Sequence, residues 1–567
     1  MSPVVSTLQE RLRDALVRIG LDPDERPQVT VATDPRFGDY QTNVAMTYAK
    51  RVGQNPRALA GRIVAALQVS DLGPAPEIAG PGFINFRLGA DFLAGQVAEM
   101  AHDERLGVPV ASPAKTIIID FSSPNIAKPM HVGHIRSTIL GDTLARVSRF
   151  LGHHVITDNH LGDWGTQFGK VIYGWKNFLD QKALELHPVA ELVRIYRQAD
   201  GAAAADPGVL DRCREELVKL QQGDPENRRI WHECVSRSMQ EFSRVYRLLN
   251  VRFDEQLGES FYHERLAALA ASLQKEGILE ESAGALVYWD HSLSDDPFIV
   301  RKSDGGFGYA ATDLATLRYR LERWQPDAIW YVVGAPQQLH FKQLFSLARR
   351  LGVKIDLEHI AFGSILGEDR KLMRTRSGDS VPLDELLLEA IDRAGALVAE
   401  KNPDLSEAER RRIAEIVGLG AVKYAELSQH RMTDYVFSWD KLLSLHGNTA
   451  PYLQNAYVRS RAIFRKLPRT FALPEALTFT EAAELKLARA LVQFAEVVPA
   501  ILDGFRPNVL ANYLYELAAV FHVFYEACPV LSAPEPQRAT RLALCETVGR
   551  VVRAGLGLLG IEVPERM

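Results

Sequence analysis

Residues 122–134 read SSPNIAKPMHVGH, with two histidines, His131 and His134, on either side of Gly133 and a lysine, Lys128, three positions before the first histidine. These types and spacings admit three chemistries. As a metal pair, HxxH would need a third ligand from elsewhere in the chain. As a packed turn, Pro124 and Pro129 beside Ser123 and Asn125 are ordinary turn formers. As an anion site, Gly133 lets the backbone approach a phosphate, and imidazoles can donate hydrogen bonds to oxygens whose charge grows in a transition state. That last chemistry is phosphoryl or nucleotidyl transfer.

The flanking pattern says which elements hold these residues. TIIID at 116–120 is an apolar strand, and HVGHIRSTILGDTLARVSRFLG predicts a helix with Ile135, Ile139, Leu140, Leu144, Val147 and Leu151 on one face. Gly152 suits the position after that helix, and HHVIT is the next strand. Strand, helix, strand in this order implies a parallel sheet. The histidines then fall where the loop after a parallel strand becomes a helix. Doubly wound sheets bind ligands at that edge, and the free N–H groups of the helix start favour an anion.

With 567 residues the chain is too long for one core. Its 47% hydrophobic and 24% charged content belong to an ordinary globular protein. A net charge of −5 means that any nucleic acid must be met by local basic patches. The four cysteines are scattered without a CxxC pair, which argues against a zinc module or a disulfide framework and suits a reducing cytoplasm. The opening residues carry Glu10 and Asp14 and do not read as a signal or transit peptide, and no window approaches a membrane span.

The expected fold class is α/β in three domains. Residues 1–112 form a small N-terminal α/β domain, with turn signals DPRFGDYQTN and GPGFINF and a linker near ASPAK. Residues 113–400 form a Rossmann-type parallel-sheet domain with a charged helical insertion at about 185–285; strands resume at AIWYVV and IAFGSIL. Residues 401–567 read as an all-α C-terminal domain.

DFSSPNIAKPMHVGH resembles the version of the class I HIGH signature found in arginyl-tRNA synthetases, with Val132 in place of isoleucine. NHLGDWGTQFGK, YAATDLATLRYR, QQLHFKQLF, KLMRTRSGDSVPLDELLLEA, NTAPYLQNAYVR and the final PERM resemble further segments of that family, in the family's order and over nearly the whole chain. The resemblance implies a class I enzyme that activates L-arginine with ATP, Mg2+ accompanying the ATP, and passes the arginyl group to tRNA(Arg). It also implies a monomer without structural metal, and an ATP–pyrophosphate exchange that requires cognate tRNA.

By the same resemblance, His131, Gly133 and His134 bind ATP, His134 also lies near the amino acid, and both histidines are catalytic. The second class I signature, KMSKS, is degenerate here. LMRTRSG has no lysine at the catalytic place, although Lys371, Arg374 and Arg376 keep the loop cationic and are ATP-binding candidates. Many arginyl enzymes share this departure, and the resemblance implies that Lys128 takes over; read without it, Lys128 is a solvated loop cation. A guanidinium substrate calls for a carboxylate and usually a ring. Tyr309 and Asp313 stand four apart, on one face if helical, and match the family's side-chain ligands. Asp120, at the end of the first strand, is the expected second carboxylate. Ser123, Asn125 and Gln337 match positions that hold the amino and carboxylate ends of arginine.

Arg459, Arg461, Arg465, Lys466 and Arg469 interleave with Tyr452, Tyr457 and Phe464, a pattern suited to stacking bases and tracking phosphates. The family's helical anticodon-binding domain makes Tyr452 and Arg459 the tRNA candidates there, and Phe83 and Asn85 those of the first domain. Two other classes stay open on residues alone. A small HxGH nucleotidyltransferase would explain the βαβ segment but not the C-terminal helices. A synthetase-like RNA-binding protein without catalysis would not explain Lys128, both histidines and Asp313 together.

Overall fold

The structure, a computed structural model, describes residues 2–23, 26–32, 34–373, 381–468 and 471–567. The ATP candidates Arg374 and Arg376, and Arg469, lie outside the described residues. Two units are formed: Met1–Ala111 with Asn402–Gly420 and Leu443–Met567, and Ser112–Lys401 with Ala421–Leu442.

The first unit begins with α1 (Val4–Arg18), whose Leu8, Leu12 and Leu16 are fully buried. There follow β1 (Thr30–Val31), β2 (Tyr40–Thr42), α2 (Val44–Val52), α3 (Pro56–Ala66), β3 (Glu77–Ala79), β4 (Phe83–Phe86) and α4 (Ala90–His102). The strands pair antiparallel in the order β1-β2-β4-β3. One expected turn signal has a steric reason: at Gly38, φ is +126° and a Cβ would lie 2.6 Å from the Phe86 carbonyl oxygen.

The second unit is built on a parallel sheet. β5 (Thr116–Phe121), α5 (Val132–Phe150) and β6 (His154–Asp158) make the expected βαβ unit. Gly152 takes φ +90° just past α5, as its place predicts. α5 is buried on nearly every side, so the apolar face expected for it is only part of its contact surface. Gly141 allows this, because a Cβ there would fall 2.2 Å from Phe121 Cγ on β5.

After β6 come α6 (Gln167–Phe178), α7 (Gln181–Leu186), α8 (Pro188–Ala205), α9 (Pro207–Gln222), α10 (Pro225–Leu248) and α11 (Glu259–Lys275). The helical run thus begins at Gln167, earlier than the expected 185. α6 packs against α8 and α9, with Gly174 facing the Ile195 carbonyl. An antiparallel sheet, β7 (Glu280–Ser282), β8 (Ala285–Tyr288) and β9 (Phe298–Arg301), leads to α12 (Tyr309–Trp324), β10 (Ala328–Val332), α13 (Gln338–Arg350) and β11 (Asp356–His359).

The parallel sheet has the order β11-β10-β5-β6. Its strand order reverses between β5 and β10, which makes the crevice above their carboxyl ends the ligand position. One core layer joins Ile118, Ile156, Ile329 and Leu357 of the sheet to Leu266, Leu314, Leu344 and Leu347 of α11–α13, all within 6% exposure.

The apolar run 360–366 is not one strand. The chain leaves the sheet after His359, and β12 (Ile365–Leu366) pairs in parallel with β13 (Tyr435–Val436). α14 (Leu383–Lys401) and α15 (Glu407–Leu427) lie between them in sequence. The units part at Lys401/Asn402, beside the boundary expected at 400/401, but the chain crosses back after Gly420. Ala421–Leu442, which also carries α16 (Trp439–Leu442), belongs with the parallel sheet. Its anchor is Arg136 of α5, 1% exposed, whose Nε lies 2.5 Å from Glu426 and whose Nη1 donates to the Thr433 carbonyl at 3.0 Å.

The first unit closes with α17 (Ala450–Arg465), α18 (Ala482–Val492), α19 (Phe494–Ala500), α20 (Asn508–Ala527) and α21 (Gln537–Leu558), α17 packing on α21 and α18 on α20. Among the described residues no helix is long and apolar enough to cross a membrane.

Candidate active site

His131 is the N-cap of α5, and its Nδ1 accepts the Gly133 N–H at 3.1 Å. His134 reciprocates, its Nδ1 accepting the His131 N–H at 3.1 Å, so two imidazoles form a capping box. The rings stand 4.0 Å apart. With Nδ1 an acceptor in each, the neutral rings carry their protons on Nε2 and offer those as donors. Both stay neutral. Burial, then the neighbouring Lys128, lowers the His131 pKa, and burial followed by His131 pushes His134 down to about 3. Gly133 is required by the cap itself, because a Cβ would meet His131 Cε1 at 2.8 Å.

The same loop is tied to the chain just beyond the second signature. Val132 donates to the Val381 carbonyl at 3.0 Å, Leu383 donates to the Met130 carbonyl at 2.9 Å, and His131 and Pro382 form an antiparallel bridge. Beside this seam a cavity of about 230 Å³ is lined by His131, Gly133, Arg136, Gly334, Phe362 and Met373 among others. Lys128 and Asn125 are exposed, and Lys371 is exposed at the entry to the second signature. Asn125 is bridged to Gly162 of the segment after β6, where a Cβ would meet Asn125 Oδ1 at 2.2 Å. Ser123 Oγ donates to Asp120 Oδ1 at 3.2 Å.

Tyr309 and Asp313 do share the first turns of α12, with Tyr309 71% exposed. Asp313 Oδ2 is 2.6 Å from His340 Nε2 and Oδ1 is 4.0 Å from His160 Nε2. Glu259, the first residue of α11, completes the acidic group. Its carboxyl is pushed up to about 8 by burial, then by the charges of Asp313 and Asp163. Nothing in the sequence singled it out: an acid at a helix start is a common capping choice. Gln337 lies exposed in the short 3-10 turn Ala335–Gln337 after β10.

Asp120, the expected second carboxylate, is tied into the sheet edge. It is 5% exposed and its Oδ2 is 2.5 Å from Arg320 Nη2, which also reaches Asp158 Oδ2 at 2.8 Å. Asp120 and Asp158 are register partners at the ends of β5 and β6. A guanidinium of the chain itself thus pairs with Asp120 Oδ2, while Oδ1 faces Ser123 Oγ. Arg320 lies seven residues beyond Asp313, roughly 10 Å along the helix axis. Asp313 is thereby set apart from the Arg320 ion pair, with His340 as its own partner.

A neutral double-imidazole cap at a helix start suits phosphate, and the neighbouring carboxyls of Asp313 and Glu259 suit a cation with several donors. Sequence models of three domains match the chain: tRNA synthetases class I (R), catalytic domain, over residues 96–439; DALR anticodon binding domain over 453–567; and arginyl tRNA synthetase N terminal domain over 6–88. The chain is 46% identical to arginine–tRNA ligase of Synechococcus elongatus over 95% of each chain, and 45% identical to that of Cellvibrio japonicus over 99% of each. The chain belongs to the arginyl-tRNA synthetase family.

Arginyl-tRNA synthetase structures share its fold throughout. That of Plasmodium falciparum superposes with a TM-score of 0.87 at 28% identity, and that of Thermus thermophilus with 0.84 at 26%, each covering 100% of both chains. In this arginyl-tRNA synthetase family member the tRNA candidates of the last helices come together. Arg459 Nη1 is 3.0 Å from His522 Nδ1, its guanidinium stands 4.8 Å from the Tyr525 ring, and Tyr452 lies 5.5 Å from Tyr515 and 5.2 Å from His522. His522, Tyr515 and Tyr525 on α20 were not singled out from sequence, although their spacing along one helix was visible. On β4, Phe83 is half-buried, and Asn85 is 4% exposed with no partner for its Oδ1.

Proposed function

We propose that the chain ligates L-arginine to tRNA(Arg) in the cytoplasm, as a monomer, through an arginyl-adenylate formed at the α5 N-terminus. A carboxylate oxygen of arginine attacks the α-phosphorus of ATP, the bond to the bridging oxygen breaks, and pyrophosphate leaves with the charge. Mg2+ enters as part of the ATP substrate. His131 and His134 donate from Nε2 to phosphate oxygens, at a helix end whose free N–H groups favour the same charge. Lys128 follows the leaving pyrophosphate as a point charge on a flexible stem, standing in for the lysine that the second signature lacks. Lys371 adds charge from the other side.

Asp313 and Glu259 take the guanidinium, with Tyr309 covering it, while Ser123, Asn125 and Gln337 face the zwitterionic end. The 2′- or 3′-hydroxyl of the terminal ribose then attacks the adenylate carbonyl, releasing AMP. Tyr452 and Arg459 contact the anticodon end of the tRNA, and Phe83 and Asn85 its elbow.

The observation that carries this reading is the Val132–Val381 hydrogen bond, which ties the chain just beyond the second signature to the start of the helix that bears both histidines. The test is ATP–pyrophosphate exchange with a panel of amino acids, with and without tRNA. Exchange with arginine alone among them, and only with cognate tRNA, is expected. Exchange driven by lysine or glutamine would overturn the pocket.

A further inference from the structure

The loop between β5 and α5 holds three non-glycine residues in the left-handed region: Ser122 at φ +75°, Ser123 at +47° and Ala127 at +61°. Such a concentration in six residues costs free energy and persists only where the surroundings impose it. Each of the three has its backbone N–H tied by a side chain from outside the loop. Ser122 donates to Ser137 Oγ at 2.9 Å, Ser123 to Asn159 Oδ1 at 3.1 Å, and Ala127 to Ser238 Oγ at 3.0 Å.

α10, in the helical insertion, supplies one of these groups and a second side chain that braces Ser122 and Asn159. Ser238 is fully buried and holds Ala127, the residue immediately before Lys128. Tyr246, two turns further on, places its hydroxyl 2.8 Å from Ser122 Oγ and accepts from Asn159 Nδ2 at 3.1 Å. Ser122 Oγ is in turn 2.8 Å from Thr138 Oγ1, which donates to the His134 carbonyl at 2.7 Å. One buried chain of hydrogen bonds therefore runs from Asn159 through the tyrosine to the backbone of the second histidine. Burial pushes the Tyr246 phenol up to about 12, so it stays protonated and the chain does not change with pH in the working range.

We infer that Ser238 and Tyr246 are positioning residues: from the insertion, they hold loop 122–128 in a conformation it would not keep alone, and so aim Lys128 at the leaving phosphates. This rests on the reading of Lys128 given above. Neither side chain touches substrate in that reading, so their loss acts through the loop.

The test is a double-mutant cycle in ATP–pyrophosphate exchange with arginine and cognate tRNA. Tyr246→Phe and Ser238→Ala are each expected to lower kcat about tenfold, the effect of one buried partner lost, while KM for ATP and arginine stays within about twofold. In a Lys128→Ala background either change should lower kcat by less than about twofold, because the group being aimed is gone. An equal fall in both backgrounds, or a fall that merely follows the folded fraction in a melting curve, overturns the inference. Should Tyr246→Phe fail to fold, Ser238→Ala carries the same cycle, since it removes only the Ala127 partner. A Lys128→Ala enzyme of normal kcat removes the Lys128 reading itself. An impaired one in which Tyr246→Phe acts undiminished removes only the positioning role.

Discussion

Val132 donates its backbone N–H to the carbonyl of Val381 at 3.0 Å. The first residue of α5 is thus bonded to a residue three positions beyond the second signature. The partner bond from Leu383 to Met130 makes this a two-point seam. Within that frame the individual groups have separable roles, each with its own expected kinetics.

Lys128→Ala should lower kcat for exchange by roughly 10²- to 10³-fold, the range for removing one group that stabilises transition-state charge. KM for arginine should stay near that of the parent, because the ammonium faces phosphate. Steady-state exchange at varied arginine separates the two. A variant of unchanged rate would return the leaving-group role to Lys371 and its neighbours.

Asp313→Asn should raise KM for arginine by the equivalent of about 2–5 kcal/mol, since a buried cation then faces an amide. His340 loses its 2.6 Å carboxylate partner in the same variant, so arginine should be titrated across pH to keep the two effects apart. Near-normal arginine kinetics would place the guanidinium elsewhere.

Glu259 supplies the pH dependence. Burial first, then Asp313 and Asp163, raise its carboxyl to about 8, so in the empty pocket it is protonated at pH 7. A guanidinium favours the carboxylate, so binding expels a proton below pH 8. Arginine affinity should therefore rise about tenfold per pH unit from 6 to 8 and level off above, by proton linkage. Calorimetry in buffers of different ionisation enthalpy should show close to one proton released at pH 7. Glu259→Gln should abolish the slope. His134, held down at about 3, contributes no limb in this range.

Gly133→Ala should disturb the cap more than the fold. Its methyl would stand 2.8 Å from His131 Cε1, and the ring can yield only by breaking its bond to the residue 133 N–H. KM for ATP should rise several-fold with the melting temperature lowered by only a few degrees, as for loss of an N-cap worth about 1 kcal/mol. Thermal melting beside ATP-dependent exchange makes the comparison.

What could be read from the sequence follows local pattern. The strand TIIID, the glycine-punctuated helix and the next strand announce themselves by period and by Gly152, and the histidines lie where that unit puts them. Ala421–Leu442 could not be assigned in this way. Its membership depends on a two-residue parallel pairing with Ile365–Leu366 and on Arg136, which lies 290 residues before Glu426. Glu259 was hidden for a different reason: it stands in a charged helical stretch where any acid looks ordinary, and only the fold brings it near Asp313. The ion pair of Asp120 was not anticipated, because a strand-end carboxylate looks like a ligand. A signal for it was present, since the next strand of the unit, HVITD, also ends in aspartate, and two such carboxylates side by side demand a cation.

That cation is Arg320, fully buried between Asp120 and Asp158. Replacing it by methionine leaves two desolvated carboxylates in register across adjacent parallel strands, and should destabilise the protein by about 3–5 kcal/mol in denaturant unfolding. Asp120→Asn should cost less, because Arg320 keeps Asp158 and the amide can still accept a hydrogen bond. The kinetics of that second variant decide its role. If Asp120 serves the sheet edge, KM for arginine stays near the parent value while the unfolding midpoint falls. If it reached the substrate, KM would rise as it does for Asp313→Asn. The 2.5 Å contact to Arg320 argues for the first outcome.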